Sequence, residues 1–319
     1  MRAFIIPEFG QPGSVGERPR PEPGDGELLV RVAAAGVTPM DPVYGTGMAS
    51  AFMEHRLPLT PGTDYAGTVV ALGSGVEGFA IGDEVFGDVG KSFVGEGSFA
   101  EYVTAAAKNA VPRPGSIPAA LATAFPRSAT TALEAVEALH ATAGETVAVF
   151  GAGGGIGSFA TEFASRRGLH VIAVTRPENF EYVRQLGAED VIDYTSADVV
   201  AELRSRHPAG LAGIVDLFHD AAGLAPYAAA VRTDGWLVSP LARGAQELLA
   251  GTAVHVHITG LPVQRAREVL ELLTGQPTRV ALEVLPLDQA SSALAQEATH
   301  QVRGKLALRI DHAGDTAGG

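Results

Sequence analysis

The residues best suited to chemistry in this chain are glycines. Val147-Ala148-Val149-Phe150 is a short apolar run of the kind a buried strand uses, and Gly151-Ala152-Gly153-Gly154-Gly155-Ile156-Gly157 follows it directly. Residues Ser158 to Arg167 then carry helical spacing. Strand, glycine turn and helix start, in that order, build a pocket for the pyrophosphate of a dinucleotide. Glycine lets backbone approach phosphate closely. The first helical turn adds free N–H groups and the positive end of its dipole. In Gly151-x-x-Gly154-x-x-Gly157 the first glycine permits the turn, and the middle ones, with Gly153 and Gly155, open the way to phosphate. The last lets the helix pack closely on the strand.

The next strand, His170-Val171-Ile172-Ala173-Val174, ends in Thr175-Arg176. An NAD-selective site usually has Asp or Glu here for the ribose 2′-hydroxyl. Arg176 instead offers a fork of donors to a 2′-phosphate, which favours NADPH. The alternative is an arginine solvated at a strand end. A third strand ends at Asp193-Tyr194, where Tyr194 either packs near the adenine or is an ordinary strand-end tyrosine. A fourth closes on Asp216-Leu217-Phe218-His219-Asp220-Ala221-Ala222-Gly223, at the sheet edge where ligands bind in such folds. Backbone contacts are expected from Ala221 or Ala222, and structural roles from the side chains of His219 and Asp220.

These elements sit in a chain of 319 residues that is 46% hydrophobic, enough for two domains. A net charge of −13 argues against nucleic acid or anionic membrane as partner. Apolar runs are broken too soon to span a bilayer or to act as a signal peptide, so a cytoplasmic protein is expected. The absence of cysteine excludes disulfides, thiolate zinc sites and a cysteine nucleophile.

Residues 1–118 are rich in Gly, Pro and Val with short alternating runs, and read as β structure. From Pro118 to Leu139 the chain is alanine-rich with helical spacing. Strands are then predicted at 147–150, 170–174, 190–192, 213–217, 235–239 and 253–258, and helices at 157–167, 178–186, 197–206, 224–231 and 263–274. This alternation implies an α/β fold with a doubly wound parallel sheet. The tail returns to strands at Val280–Val284 and Leu306–Ile310, with a helix at 288–297. Gly314 to Gly319 is expected to be a disordered tip.

The chain resembles the quinone oxidoreductase branch of the medium-chain dehydrogenase/reductase superfamily, along nearly its whole length. The resemblance rests on Pro61-Gly62-Thr63-Asp64-Tyr65-Ala66-Gly67-Thr68-Val69-Val70, on the Gly73 to Gly87 segment, and on Gly97-Ser98-Phe99-Ala100-Glu101-Tyr102-Val103. The glycine turn, Leu186 to Tyr194, and Arg303-Gly304-Lys305-Leu306-Ala307-Leu308 complete it. It implies a GroES-like β-rich domain (1–118, resumed at 276–312), a Rossmann domain (119–275) and a tail from 313 to 319. The implied nicotinamide position is the cleft between the domains. The implied reaction is hydride delivery from NADPH to a quinone or an α,β-unsaturated carbonyl. A homodimer through the 253–258 edge strand is also implied. No zinc is expected, because the family's Gly-His-Glu is Gly62-Thr63-Asp64 here and cysteine is absent. A crystallin-like NADPH-binding protein and a redox-neutral biosynthetic enzyme are the alternatives.

Departures from the family pattern concentrate between Thr38 and Arg56. The family's Asn-Pro-x-Asp is Thr38-Pro39-Met40-Asp41. Thr38 keeps a donor at shorter reach. Asp41 either positions water or a carboxamide, or caps a turn. Tyr44 is the nearest phenol, either an oxyanion partner or a core residue. Ala51 to Arg56 is either a substrate lid with His55 as an acid, or a solvated turn. Thr131 matches a threonine that sits by the nicotinamide in the family. Arg127 either faces the substrate or faces water. Asn179 replaces the usual 2′-phosphate lysine, and Arg303 and Lys305 are spare cations for cofactor phosphate.

Overall fold

The computed structural model describes residues 1–312, and the tip expected at Gly314–Gly319 lies outside them. The chain divides into two compact units, Met1–Arg127 with Val263–Leu270 and Leu282 onward, and Ser128–Pro262 with Glu271–Ala281.

The first unit opens with strands β1 (Arg2–Ile5), β2 (Ser14–Glu17) and β3 (Glu27–Val37), and then helix α1 (Met40–Thr46). Strands β4 (Glu54–Thr60), β5 (Asp64–Leu72), β6 (Glu84–Asp88), β7 (Phe93–Glu96), β8 (Tyr102–Ala106) and β9 (Ala110–Pro112) follow. A short helix α2 (Ala119–Ala122) and a wide π-type turn (Phe125–Ala129) lead out of it. The segment 51–56, read as either a substrate lid or a solvated turn, is from Glu54 onward strand β4, paired with β7. The charges there are used locally, since Arg56 bonds Glu54 at 2.7 Å and its guanidinium lies 3.4 Å over the Phe93 ring.

The second unit carries α3 (Thr130–Ala138), β10 (Thr146–Phe150), α4 (Gly155–Arg166), β11 (His170–Thr175), β12 (Asp190–Asp193), β13 (Leu211–Asp216), β14 (Val231–Ser239) and β15 (His255–Ile258). All pairings among these strands are parallel, in the order β12-β11-β10-β13-β14-β15. That is the doubly wound order of dinucleotide-binding sheets, with its switch point between β10 and β13. Strands covered on both faces read as continuous apolar runs, which is why they were visible in the sequence.

The tail adds β16 (Leu282–Pro286) and β17 (Lys305–Arg309) to the first unit's large sheet, ordered β16-β17-β3-β5-β6-β9 with β8 also on β3. The strand predicted at Val280–Val284 is found two residues later, at Leu282–Pro286. The predicted helix 224–231 is also corrected. A single α turn at Ala221–Leu224 gives way to a 3₁₀ stretch at Ala225–Ala230, and Val231 opens β14. Pro226 at the first turn cannot extend an α-helical hydrogen-bond ladder begun upstream. Likewise 263–274 resolves into a 3₁₀ turn at Val263–Arg265 and a helix at Ala266–Leu273.

Each unit has its own core. In the first, Phe86 and Phe125 are fully buried and meet edge to face at 5.8 Å. Phe86→Ala should destabilise this unit by about 3–5 kcal/mol. Urea unfolding followed by near-UV circular dichroism measures it, and a loss below about 1 kcal/mol would contradict this packing.

Candidate functional site

At the end of β10 the backbone turns at Gly151, whose φ of +73° favours glycine. The Gly151 amide donates to the Val174 carbonyl at 3.1 Å, fastening the turn to β11. Gly154 caps helix α4, and its amide donates back to the Gly151 carbonyl at 3.0 Å. A side chain at Gly157 would place its Cβ 2.1 Å from the Gly151 carbonyl oxygen, so only glycine allows the helix to start this close to the strand. The first amides of α4, from Gly155, Ile156 and Gly157, precede the first helical hydrogen bond, which Ser158 donates to Gly154. They form a donor set for an anion. Gly153 faces Asn179, since a Cβ there would lie 2.4 Å from its amide nitrogen. Asn179 is buried and donates to the Thr175 hydroxyl at 3.4 Å. The position where relatives place a lysine is thus part of the wall of the turn.

Arg176, half-buried, follows β11 directly. Its guanidinium makes no hydrogen bond or ion pair among the described residues. Tyr194 and Phe218, exposed just past the ends of β12 and β13, face each other with ring centroids 6.3 Å apart. Phe218 was not singled out from the sequence. Two exposed aromatics on one sheet edge were its signal. Below them, fully buried Asp216 accepts from the amides of Phe218 and His219 and from His219 Nδ1 at 2.7 Å. That hydrogen bond is the main cause of the raised His219 pKa. Asp220 caps the short helix that begins at Ala221 by accepting from the Gly223 amide. Both side chains are engaged in local hydrogen bonds. Thr131 lies on α3 in this same unit, fully buried, with its hydroxyl lacking a hydrogen-bond partner. At the sheet edge His255 stacks on Trp236 at 4.6 Å and His257 bonds Glu134 at 3.0 Å.

The first unit brings Thr38, Asp41 and Tyr44 together. Asp41 is fully buried. One of its oxygens accepts from the Thr38 amide and hydroxyl at 2.7 and 2.8 Å, and the other from the Gly62 amide at 2.9 Å. It ties the start of α1 to the Pro61-Gly62 loop. Burial pushes its pKa up, partly offset by these hydrogen bonds. Tyr44 is buried, its ring edge-on to His55 at 6.0 Å, and its hydroxyl makes no hydrogen bond among the described residues. His55 is held by a 2.8 Å contact from Nδ1 to the Met53 carbonyl.

Arg127, read as facing either the substrate or water, is held instead by two carboxyl groups. Its Nε and Nη2 both lie 2.8 Å from Asp88 Oδ2, and Nε lies 3.6 Å from Asp64 Oδ1. Lys305 is no spare phosphate ligand. It is buried in β17, an interior strand of the sheet, and donates to the Val37 carbonyl at 2.8 Å. Arg303, exposed, belongs to this unit too, not to the one that carries the glycine turn. Asp64 and Asp88, neither read as a site residue from the sequence, are partners across β5 and β6. Among the described residues no group of three or more His, Cys, Asp or Glu is arranged to hold a metal ion, and no helix is long and apolar enough to cross a membrane.

The alcohol dehydrogenase GroES-like domain family matches residues 24–115, and the zinc-binding dehydrogenase family matches 155–248. A trans-enoyl reductase of Aspergillus terreus is 32% identical over 220 residues, 63% of this chain and 71% of that protein. A chloroplast envelope quinone oxidoreductase homologue of Arabidopsis thaliana is 35% identical over 189 residues, 57% of each chain. Matches to this and two similar chloroplast proteins span 55–63% of those relatives' length. The fold matches that of a quinone oxidoreductase from Coxiella burnetii with a TM-score of 0.86 at 24% identity, covering 98% of this chain and 99% of that one. A mycobacterial protein solved with NADPH has the same fold, with a TM-score of 0.82 at 24% identity over 97% of this chain and all of that one.

The Asp216–His219 contact has a pH signature. The raised pKa means that its stabilising effect is complete below the ordinary histidine value and fades as pH climbs through the raised one. An NMR titration of His219 should give a midpoint above the ordinary value, and Asp216→Asn should lower it. A midpoint at or below that value in the unmodified protein would contradict the contact.

Proposed function

We propose, since this chain belongs to the medium-chain dehydrogenase/reductase superfamily, that it is an NADPH-dependent, zinc-free oxidoreductase reducing quinones or α,β-unsaturated carbonyls. The observation that carries the proposal is the donor set of Gly155, Ile156 and Gly157 at the switch point of a parallel sheet, with the unpaired Arg176 at the end of the adjacent strand. The residues fit the cofactor. Gly151 and Gly153 to Gly157 take the pyrophosphate on backbone N–H groups. Thr175 and Arg176 take the 2′-phosphate, a dianion for which a free guanidinium is the natural partner. Tyr194 and Phe218 offer ring faces for the adenine, and the backbone at Ala221 lines the same sheet edge. When bound, NADPH supplies a hydride. On the acceptor side, the Tyr44 phenol is free to donate to an oxygen that gains charge, and Asp41 keeps Thr38 and α1 in place. The Thr131 hydroxyl is assigned to the nicotinamide. The names of the relatives support quinones and enones as acceptors. The absence of cysteine supports zinc-free chemistry.

The strand His255–Ile258, at the sheet edge, is the surface through which a homodimer would form. A cytoplasmic location completes the reading.

Arg176→Ala should weaken NADPH binding by about 1.5–3 kcal/mol and leave NADH binding nearly unchanged. Titration of intrinsic fluorescence with each cofactor measures both constants, and equal weakening of the two would refute the 2′-phosphate role. Turnover is assayed as NADPH oxidation with 1,4-benzoquinone and a panel of enones. A well-folded protein that binds NADPH and reduces none of them counts against the reductase.

A further inference from the structure

The segment that leaves the second unit is fastened to the helix that carries the phosphate donors. Residues Gln276 to Ala281 are its last stretch, and Leu282 opens β16 of the first unit. Two side chains of α4 hold the start of this segment. Arg166 donates to the Gln276 and Pro277 carbonyls at 3.0 and 3.1 Å. Fully buried Glu162 accepts from the Thr278 hydroxyl and, at 3.1 Å, from the Arg279 amide. The far end is held differently. The Ala281 amide donates to the Tyr182 hydroxyl at 3.0 Å. Tyr182, buried on the helix Phe180–Gln185, donates in turn to Ser158 Oγ at 3.0 Å. Ser158 is fully buried in the first turn of α4, directly after Gly157, and its hydroxyl donates to the Ala152 carbonyl at 3.4 Å.

The two ends of this row fix its direction. An amide N–H only donates and a carbonyl only accepts, so each hydroxyl between them accepts one bond and donates the next. Buried bonds in such a row polarise and strengthen one another. Removing the middle hydroxyl affects both neighbours. The Ala281 amide loses its acceptor, and the Ser158 hydroxyl loses the donor that orients it toward Ala152. Ala152 lies inside the glycine turn, between Gly151 and Gly153. Its amide is already anchored to the Val174 carbonyl of β11, so the Ser158 bond fixes the carbonyl of the same residue. We propose that Tyr182 is a positioning residue for the cofactor, its hydroxyl holding the glycine turn ready for the pyrophosphate and coupling the turn to the order of residues 276–281. The inference rests on the cofactor reading above. In this role Tyr182 acts through Ser158 on Ala152. The coupling is reciprocal. If order in the segment favours ligand binding at the turn, a ligand on the turn favours order in the segment by the same factor.

The test reads binding and hydrogen exchange, not turnover. Tyr182→Phe keeps the ring and removes only the hydroxyl. NADPH and NADH share the pyrophosphate, so calorimetric titration should find both bound roughly 3- to 10-fold more weakly by this variant. Adenosine 2′-monophosphate, which lacks the pyrophosphate, should bind as it does to the unmodified protein. A merely structural tyrosine would lower Tm and leave all three constants alone. Ser158→Ala cuts the same row one link nearer the turn, and is the second variant if Tyr182→Phe folds poorly. Its loss of cofactor affinity should match, and the double variant should bind no more weakly than either single one. Hydrogen exchange read by mass spectrometry supplies the reciprocal measurement. Saturating NADPH should slow exchange in a peptide spanning 276–281 of the unmodified protein, and should not do so in Tyr182→Phe. Unchanged Kd values in Tyr182→Phe, additive losses in the double variant, or a 276–281 peptide indifferent to NADPH overturns the inference alone. An unmodified protein that binds neither cofactor overturns the cofactor reading, and the inference with it.

Discussion

The approach of helix α4 to the end of β10 is the constraint on which the second unit's site depends. The Gly151 carbonyl lies where a Cβ at Gly157 would have to be. Remove that approach and the helix must start farther from the strand. The amides of Gly155, Ile156 and Gly157 would then point past any phosphate held at the sheet edge. The rest of the unit holds this geometry in place. Gly151 and Ala152 are tied to Val174 on β11, and Tyr182 reaches back to donate to Ser158 on α4 at 3.0 Å. Ser158 and Asn179 are both buried, so the turn is supported by packed polar groups and not by exposed loop. An anion site made of backbone dipoles needs this rigidity, because a dipole that must reorient to meet its ligand loses much of its advantage.

Much of this was legible along the chain. The parallel strands of the second unit are covered on both faces, and their apolar runs stand out against the glycine and proline around them. Errors fell where a local pattern was overruled by a specific residue. Ala225–Ala230 has helical composition, yet Pro226 confines it to a 3₁₀ stretch. Glu54–Arg56 has the charge of a solvated turn, yet those charges bond within and across the small β4–β7 sheet.

The charge cluster of the first unit was less legible because its groups meet from far apart. Asp64 and Asp88 are 24 residues apart, and Arg127 comes from 39 residues beyond Asp88. Residue type and short-range spacing cannot report such a pairing. A weaker signal was present. Asp64 opens the run Asp64-Tyr65-Ala66-Gly67, and Lys305 opens Lys305-Leu306-Ala307-Leu308. A charged residue at the head of an apolar strand is either at the surface or buried for a reason, and both of these are buried. Reading Lys305 as free for phosphate ignored the second possibility.

The two units solve opposite electrostatic problems. Around the glycine turn, the N-terminal amides of α4 and the Arg176 guanidinium, which has no ion pair among the described residues, concentrate positive potential. In the first unit the carboxyl groups of Asp41, Asp64, Asp88, Glu101 and Glu297 are buried, as is the Lys305 ammonium, and the Arg127 guanidinium is partly buried beside Asp64 and Asp88. Arg127 is nearly spent on Asp88, and Lys305 on a backbone carbonyl. Burial raises the pKa of Asp41, Asp64 and Glu297 alike, but hydrogen bonds to Asp41 oppose its rise. Asp64 has no such bonds, and burial pushes its pKa up to about 8.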